Sequence, residues 1–177
     1  MKATGIIRRV DDLGRVVIPR EIRRTLHIKE GDPLEIYTDR EDRLILKKYS
    51  PIGELGTFAK EYAEAMTQTT DHIVCITDRD QVIAAAGSAR KDYIGKTISK
   101  ELEEIINGRI TTKHFVKVTD EESEELYPHV VCCPILGEGD INAIGSVILL
   151  NKDDKVRMGE TEWALARCAA NFIGKQV

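Results

Sequence analysis

The sequence predicts an α+β protein with two domains of unequal size that are joined by a helix. Three observations lead to this prediction. Basic residues are concentrated at the N-terminus, although the 177-residue chain has a formal net charge of −4. A region of short alternating strands and one short helix ends near residue 50, where apolar residues begin to recur with a helical period. Beyond residue 70, strand patterns and helix patterns alternate up to a long closing helix.

The composition is that of a globular protein. Hydrophobic residues make up 42% and charged residues 32% of the chain, so extensive disorder is not expected. The longest apolar runs, such as residues 143–150, are far shorter than the roughly 20 residues that cross a bilayer. No apolar signal core follows the first residues. We therefore expect a cytoplasmic protein without a membrane partner.

The charge is distributed unevenly along the chain. Residues 1–50 hold 12 basic and 9 acidic residues, a net charge of +3, whereas residues 51–177 hold 14 and 21, a net charge of −7. Within residues 1–29 the net charge reaches +5. A polyanionic partner fits the N-terminal part of the chain, and a uniformly basic protein is excluded.

Two strands and a short helix are predicted in the first part of the chain. Residues 1–10 alternate as a strand does, residues 11–14 have turn chemistry, and residues 15–18 form a second short strand. Pro19 suits the first turn of a helix, where its missing N–H would have no partner, and this helix ends near Leu26. One of its faces is basic, because helical spacing brings together Arg20, Arg23, Arg24 and His27.

A second hairpin completes the N-terminal domain, with strands at residues 34–37 and 44–48. A unit of about 50 residues buries only about 60% of the surface of its unfolded chain, so it is marginal alone. We therefore expect an obligate dimer in which a second copy shares the burial.

Residues 51–70 are predicted to form the helix that joins the two domains. From Ile52, apolar residues recur with a 3-4-3-4 spacing at Leu55, Ala59, Tyr62 and Met66. The repeat is too short for a free-standing coiled coil. Two interpretations stay open: an amphipathic helix that lies on the following domain, or a helix that pairs with its copy in a dimer.

Residues 71–177 are predicted to form an α+β sandwich with its helices on one face. Five strands are expected, at residues 73–77, 82–86, 113–118, 130–135 and 143–150. A loop reaches from the second strand to residue 96, and helices follow at residues 99–107 and 159–175. The closing helix has a wider apolar arc than packing on one sheet requires, so part of it is expected to meet another subunit.

The sequence contains no recognisable catalytic or metal-binding motif. The four histidines form no triad or metal motif, and the four cysteines have no CxxC spacing and are expected to be buried free thiols. Gly95-Lys96-Thr97 lacks the glycine that a phosphate-binding loop needs at position 90. The acidic run at residues 120–125 is interpreted as a solvated loop. We therefore predict no enzyme activity, no catalytic residue, no metal and no cofactor.

The N-terminal arginines are the best candidates for a functional site. Guanidinium groups suit both phosphate oxygens and the guanine edge in the major groove. The alternative is a solvated basic face, but six arginines within 17 residues favour nucleic acid. They are Arg8, Arg9, Arg15, Arg20, Arg23 and Arg24.

The residues around these arginines closely resemble the AbrB-type transition-state regulators of spore-forming bacteria. The resemblance rests on MKATGIIRRVDDLGRVVIP at residues 1–19 and EIRRTL at residues 21–26, and its core, GRVVIP, is highly specific. GDPLEI at residues 31–36 and ILKKY at residues 45–49 extend it over about the first 50 residues.

The rest of the chain resembles one branch of that family, the sporulation regulators with a C-terminal GAF domain. FAKEYA at residues 58–63, RKDY at residues 90–93 and MGE at residues 158–160 carry this part of the resemblance. The domains implied are a DNA-binding domain at 1–50, a linker or dimerisation helix at 51–70 and a GAF-like domain at 71–177.

The resemblance also implies an architecture and partners. Two protomers would interleave their hairpins into a swapped-hairpin barrel, and the GAF-like domains and helices would join two dimers into a homotetramer. Double-stranded DNA would be contacted by Arg8, Arg15, Arg23 and Arg24, with Arg9 and Arg20 as additional phosphate ligands. The implied function is to activate some genes and repress others in the forespore, late in sporulation.

Alternatives to this function stay open. A swapped-hairpin antitoxin is one, and a ligand-binding regulator outside sporulation is another. The GAF-like domain is either a sensor of an unknown small molecule or only an oligomerisation module. The loops at residues 87–96 and 119–128 would line its ligand site.

Overall fold

The architecture is described from a computed structural model of the chain. The described residues are 4–88, 90–112, 116–119, 129–137, 142–151, 153 and 155–177. They belong to two compact units, Met1–Tyr49 and Ser50–Val177. Within the described residues, the helices are too short or too polar to traverse a bilayer.

The first unit consists of one short helix and one hairpin. Helix α1 covers Arg20–Thr25, and strands β1 (Leu34–Thr38) and β2 (Leu44–Lys48) pair in antiparallel fashion. The side chain of Lys48 donates a 3.0 Å hydrogen bond to the carbonyl oxygen of His27, just beyond the helix. The hairpin is thereby attached to the C-terminal end of α1.

The strands predicted at residues 1–10 and 15–18 are wrong as far as the structure describes them. The turn between them does form, and the backbone N–H of Asp11 donates to the carbonyl of Arg15 at 3.0 Å. Residues 4–10 and 15–18 nevertheless form no strand. The physical reason is that an isolated two-stranded ribbon is marginal unless another layer covers it, and here Ile7 is 87% exposed and Val17 72% exposed.

The second unit is built on a four-stranded antiparallel sheet. Its strands are β3 (Ile73–Thr77), β4 (Val82–Ala86), β5 (His129–Leu136) and β6 (Ala143–Asn151), in the order β4-β3-β6-β5. Every residue of β6 from Ala143 to Leu150 is buried. Because side chains alternate between the two faces of a strand, continuous burial means that both faces of the sheet are covered.

The described residues of this unit form five helices: α2 (Pro51–Glu54), α3 (Gly56–Thr70), α4 (Arg90–Tyr93), α5 (Lys100–Gly108) and α6 (Glu160–Gly174). Helices α3 and α6 bury small residues against one face of the sheet, which are Ala59, Ala63, Ala166, Ala169 and Ala170. Helix α5 covers the opposite face with Leu102 and Ile106.

Three predictions for this unit are corrected. The helices are not gathered on one face, because the fully apolar strands need cover on both. The sheet has four strands rather than five among the described residues. Of the strand expected at residues 113–118, residues 113–115 lie outside the described part, and residues 116–118 belong to no strand. Helix α4 lies within the predicted loop.

Ser50 marks the beginning of the second unit. Its hydroxyl oxygen accepts a hydrogen bond from the backbone N–H of Gly53 at 3.0 Å and so caps α2. The same hydroxyl donates to the buried carboxylate of Asp78 at 2.8 Å. Ile52 follows and is completely buried in the core of the second unit.

Two glycines allow close approaches that a side chain would block. A Cβ on Gly145, in β6, would fall on the backbone carbonyl of Thr77 and within 2.6 Å of the Cδ1 atom of Ile52. A Cβ on Gly174 would likewise fall on the carbonyl oxygen of Leu136. Backbone atoms cannot move aside as a flexible side chain can, so both positions require glycine.

The cysteines occupy three different surroundings. Cys132 packs on the α5 face of the sheet and Cys133 on the α3 and α6 face, as alternation along a strand predicts. Burial raises the pKa of Cys132 to about 12 and that of Cys133 to about 11. Cys168 is exposed, which corrects the expectation that all four thiols are buried. It lies on the part of α6 that faces away from the sheet.

Candidate nucleic-acid interface

The six arginines predicted to contact DNA are all exposed. They occupy three places in the first unit: the segment before the first turn, the end of that turn, and helix α1. Arg9, Arg20, Arg23 and Arg24 make no ion pair with a carboxylate in the part of the chain that the structure describes. Their guanidinium groups are therefore available to an external anion.

Helix α1 is a short helix whose residues are all at least partly exposed. Pro19 precedes it, Glu21 lies in its first turn, and Arg23 and Arg24 lie in its last turn. This order of charges matches the helix dipole, which favours negative groups at the start and positive groups at the end. The basic face of α1 is thus compatible with a stable helix.

The first turn (residues 11–15) holds Arg15 in a defined position. One carboxylate oxygen of Asp11 accepts from the backbone N–H groups of Leu13 at 3.1 Å and Arg15 at 2.7 Å, and the other accepts from the Nε of Arg15 at 2.8 Å. Gly14 has a φ of +76°, which glycine adopts without strain. The backbone N–H of Arg15, and then its guanidinium, hold the pKa of Asp11 below its usual value.

Arg8 and Arg9 lie in the segment that precedes the first turn. Arg8 donates from Nη1 to the neighbouring carbonyl of Ile7 at 3.3 Å. A contact of this kind between adjacent residues restrains the side chain only weakly. Both arginines are exposed and lie outside the helix and the hairpin of the first unit.

The first unit leaves much of its apolar surface uncovered. Pro19 is its sole buried residue among those described. The large hydrophobic side chains that remain exposed include Ile7, Val10, Leu13, Val16, Val17, Ile36, Leu44 and Leu46. Exposed apolar area of this extent marks an interface in a soluble protein.

The second unit offers one feature near its predicted ligand-binding loops. Thr119 is completely buried, and its hydroxyl has no hydrogen-bond partner among the described residues. Residues 120–128, the rest of the second predicted loop and its acidic run, lie outside the described residues. In the first predicted loop, Tyr93 of α4 is buried against the α5 face of the sheet.

Comparison with known proteins identifies the family of the chain. A family model described as stage V sporulation protein T C-terminal, transcription factor, matches residues 54–177. Stage V sporulation protein T of Bacillus subtilis is 50% identical over 181 residues, covering 100% of this chain and 99% of the relative. The chain belongs to the stage V sporulation protein T family. The family is thus one of sporulation transcription factors.

Three further matches concern the N-terminal domain of this stage V sporulation protein T family member. The transition state regulator AbrB of B. subtilis is 67% identical over 51 residues, which cover 29% of this chain and 52% of AbrB. The solution structure of the N-terminal DNA recognition domain of AbrB covers 29% of this chain and 94% of its own, with a TM-score of 0.26. A model described as the bacterial antitoxin MazE matches residues 7–54.

The C-terminal domain has the GAF fold. The GAF domain of the nutrient sensor CodY from Clostridium difficile matches with a TM-score of 0.51 and 16% identity, covering 88% of this chain and 92% of the CodY domain. The predicted family and its fold class, an AbrB-like domain followed by a GAF-like domain, are thereby confirmed.

Sequence reasoning missed one residue of the candidate interface, which is Asp11. The sequence pattern indicates only a turn there, whereas in the structure its carboxylate accepts two hydrogen bonds from Arg15, one from the backbone N–H and one from Nε, and a third from the backbone N–H of Leu13. The signal was present, because an aspartate is followed by an arginine four residues later both here and at Asp39 and Arg43.

Proposed function

We propose that this transcription factor binds double-stranded DNA through the arginines of its N-terminal domain and regulates genes of the forespore late in sporulation, activating some and repressing others. It acts in the cytoplasm, on the nucleoid. The observation that carries the proposal is the exposure of all six arginines in a domain whose sequence is 67% identical to AbrB over 51 residues. The sequence identity, and not the structural likeness, supports DNA binding.

The second step of the proposal is an obligate homodimer of the N-terminal domain. Residues such as Ile7 and Val17, 87% and 72% exposed, would otherwise keep a large apolar surface in water. A second copy of the same unit, interleaved as a swapped-hairpin barrel, removes this surface from water and supplies strand partners to residues 4–10 and 15–18. The dimer presents two copies of the arginine set to one duplex.

The third step is a homotetramer formed through the GAF-like domains and their helices. Phe58 and Tyr62 of α3 lie next to Phe172 of α6, with ring centroids 5.7 to 5.9 Å apart. Phe172 is 43% exposed. An aromatic cluster that is only partly covered by its own domain supports contact with another subunit.

The arginines of α1 provide the test of this function. We expect Arg23→Ala and Arg24→Ala each to weaken binding to an A·T-rich duplex by about 10-fold to 100-fold, since each change removes two phosphate contacts from a dimer. Fluorescence anisotropy with the full chain measures the dissociation constant. Arg157→Ala, which removes an exposed arginine from the second unit, is the matched control.

The control and both variants should retain the far-ultraviolet circular dichroism spectrum and the molar mass of the parent. Binding that is unchanged in both α1 variants would refute the assignment of this helix to the interface. An equal loss in Arg157→Ala would show that only the net charge matters.

Sequence preference in this function should rest largely on DNA shape. The six candidate residues are all arginines, which suit phosphates and a narrow minor groove, and they include no asparagine or glutamine to read adenine in the major groove. We therefore propose a degenerate, A·T-biased site. A footprint that tolerates no base substitution would contradict this part of the proposal.

A sensor role for the GAF-like domain is a second candidate, supported by the buried hydroxyl of Thr119 without a partner among the described residues. A buried hydroxyl of this kind usually finds a hydrogen bond, and a small polar ligand would supply it. Thermal-shift screening of the full chain against nucleotides and small metabolites tests this role. If no compound raises the melting temperature, the domain is a scaffold for oligomerisation.

The antitoxin alternative has the MazE match at residues 7–54 in its favour. Residues 54–177, however, match the stage V sporulation protein T family instead of a short toxin-binding tail. Recovery of a cognate toxin bound to the full chain would support the alternative.

A further inference from the structure

Two turns of the first unit have the same internal design. In the second turn (residues 39–43), one carboxylate oxygen of Asp39 accepts from the backbone N–H groups of Glu41 at 3.0 Å and Arg43 at 3.1 Å. The other carboxylate oxygen accepts from the Nε of Arg43 at 2.5 Å. The first turn makes the same three bonds with residues 11, 13 and 15.

The backbone of the two turns is alike as well. The fourth residue of each turn has a positive φ, +76° at Gly14 and +55° at Asp42. The first residue of each turn also donates its backbone N–H to the carbonyl of the last, at 3.0 Å in the first turn and 3.2 Å in the second. The same hydrogen-bonded frame is thus built twice from different sequences.

The two arginines at the ends of these frames differ in their availability. Arg43 uses both terminal nitrogens in ion pairs, Nη2 with Asp39 at 2.5 Å and Nη1 with Glu41 at 2.8 Å, and its side chain is 43% exposed. Arg15 is hydrogen-bonded to Asp11 through Nε, pairs with no second carboxylate among the described residues, and has a side chain that is 69% exposed. The position of Glu41 is occupied in the first turn by Leu13, which cannot neutralise a guanidinium.

We propose that Asp11 is a positioning residue of the DNA interface: it anchors Arg15 through Nε and holds the terminal edge of the guanidinium ready for a phosphate. The inference rests on the proposed DNA-binding function and adds to it a residue of opposite charge. The second turn shows the contrasting case, because there the carboxylate of Glu41 pairs with the terminal edge of the Arg43 guanidinium. The corresponding edge of Arg15 is exposed.

Two physical effects of Asp11 oppose each other. Its negative charge lies close to the expected path of the phosphates and repels them. Its hydrogen bonds fix a long side chain whose rotamer freedom would otherwise be lost on binding. Simple charge counting predicts tighter DNA binding when the charge is removed, whereas positioning predicts weaker binding. The sign of the change therefore separates the two.

The decisive variant is Asp11→Asn in the full chain, because its amide oxygen still accepts from the backbone N–H groups of the turn. Its amide nitrogen cannot accept from the Nε of Arg15. We expect binding to an A·T-rich duplex to weaken about fivefold, as the positioned charge-assisted bond is lost. Asp39→Asn is the matched control and should leave the dissociation constant unchanged. Fluorescence anisotropy at constant salt measures both.

A double-mutant cycle then shows whether Asp11 acts through Arg15. In the Arg15→Ala background, Asp11→Asn should cause no further loss, because the side chain that it positions is absent. Arg15→Lys gives a second readout, in which the two backbone hydrogen bonds to Asp11 are kept. It keeps the charge but lacks an Nε–H fork, and we expect it to bind about fivefold more weakly than the parent.

Three results would overturn the inference. In the first, Asp11→Asn binds as tightly as the parent, or more tightly, while Arg15→Ala binds weakly, which leaves the proposed function intact. In the second, Arg15→Lys binds as the parent does, so that only charge matters. In the third, Arg15→Ala itself has no effect, which removes Arg15 from the proposed interface too.

Discussion

Raising the salt concentration from 50 to 200 mM should weaken the binding of the proposed dimer to duplex DNA by about 10³-fold to 10⁵-fold. The proposed dimer would present two copies of six exposed arginines, enough to neutralise about 6 to 10 phosphates. Each neutralised phosphate releases condensed counterions, and this gain in entropy falls as the bulk salt concentration rises. The logarithm of the association constant should therefore decrease linearly with the logarithm of the salt concentration.

The measurement is a fluorescence anisotropy titration of the full chain at several potassium chloride concentrations. A double variant, Arg23→Ala with Arg24→Ala, serves as the control. It should show a slope smaller by about one unit for each phosphate contact that it loses. Circular dichroism at each salt concentration confirms that the protein stays folded. A shallow slope that is equal in both proteins would show that the arginines of α1 do not contact phosphate.

Gly145→Ala should destabilise the second unit by about 3 kcal/mol or more, roughly a hundredfold in the folding equilibrium. The new Cβ would fall on the carbonyl of Thr77 and close to Ile52. Thr77 lies in β3, the strand beside β6 in the centre of the sheet. Relief therefore requires the two strands to separate, which breaks ladder hydrogen bonds and opens the core at Ile52.

Urea denaturation followed by circular dichroism measures this change in the free energy of unfolding. Gly56→Ala is the matched control. No atom lies within 4 Å of a Cβ at this position, which is the first residue of α3. It should be neutral or slightly stabilising, because alanine favours helices. Equal stability of Gly145→Ala and the parent would contradict the close approach at this point of the sheet.

Much of the second unit could be predicted from its sequence. The predicted strands at residues 73–77 and 82–86 coincide with β3 and β4, because their fully apolar runs are bounded by turn residues. The closing helix is also found close to its expected bounds. The side of the sheet that each helix covers could not be predicted, because strands buried on both faces lack the alternation that distinguishes one face from the other.

The first unit could be predicted less well from its sequence. The alternation in residues 1–10 and 15–18 predicted strands. A strand also needs a neighbouring strand to pair with, and a local sequence pattern does not identify that neighbour. The candidate interface was predicted by counting arginines. The bond between Asp11 and Arg15 was missed, since charge counting treats an aspartate near an arginine as a loss of positive charge.

The adjacent thiols of β5 give the GAF-like domain two independent reporters on a single strand. Cys132 belongs to the core under α5, and its neighbour Cys133 belongs to the core under α3 and α6. A fluctuation that lifts α5 uncovers the first sulfur and leaves the second shielded, and a fluctuation of α3 or α6 does the reverse. The reactivity of each thiol therefore reports on the motion of one side of the sheet, although the two cysteines are adjacent in the chain.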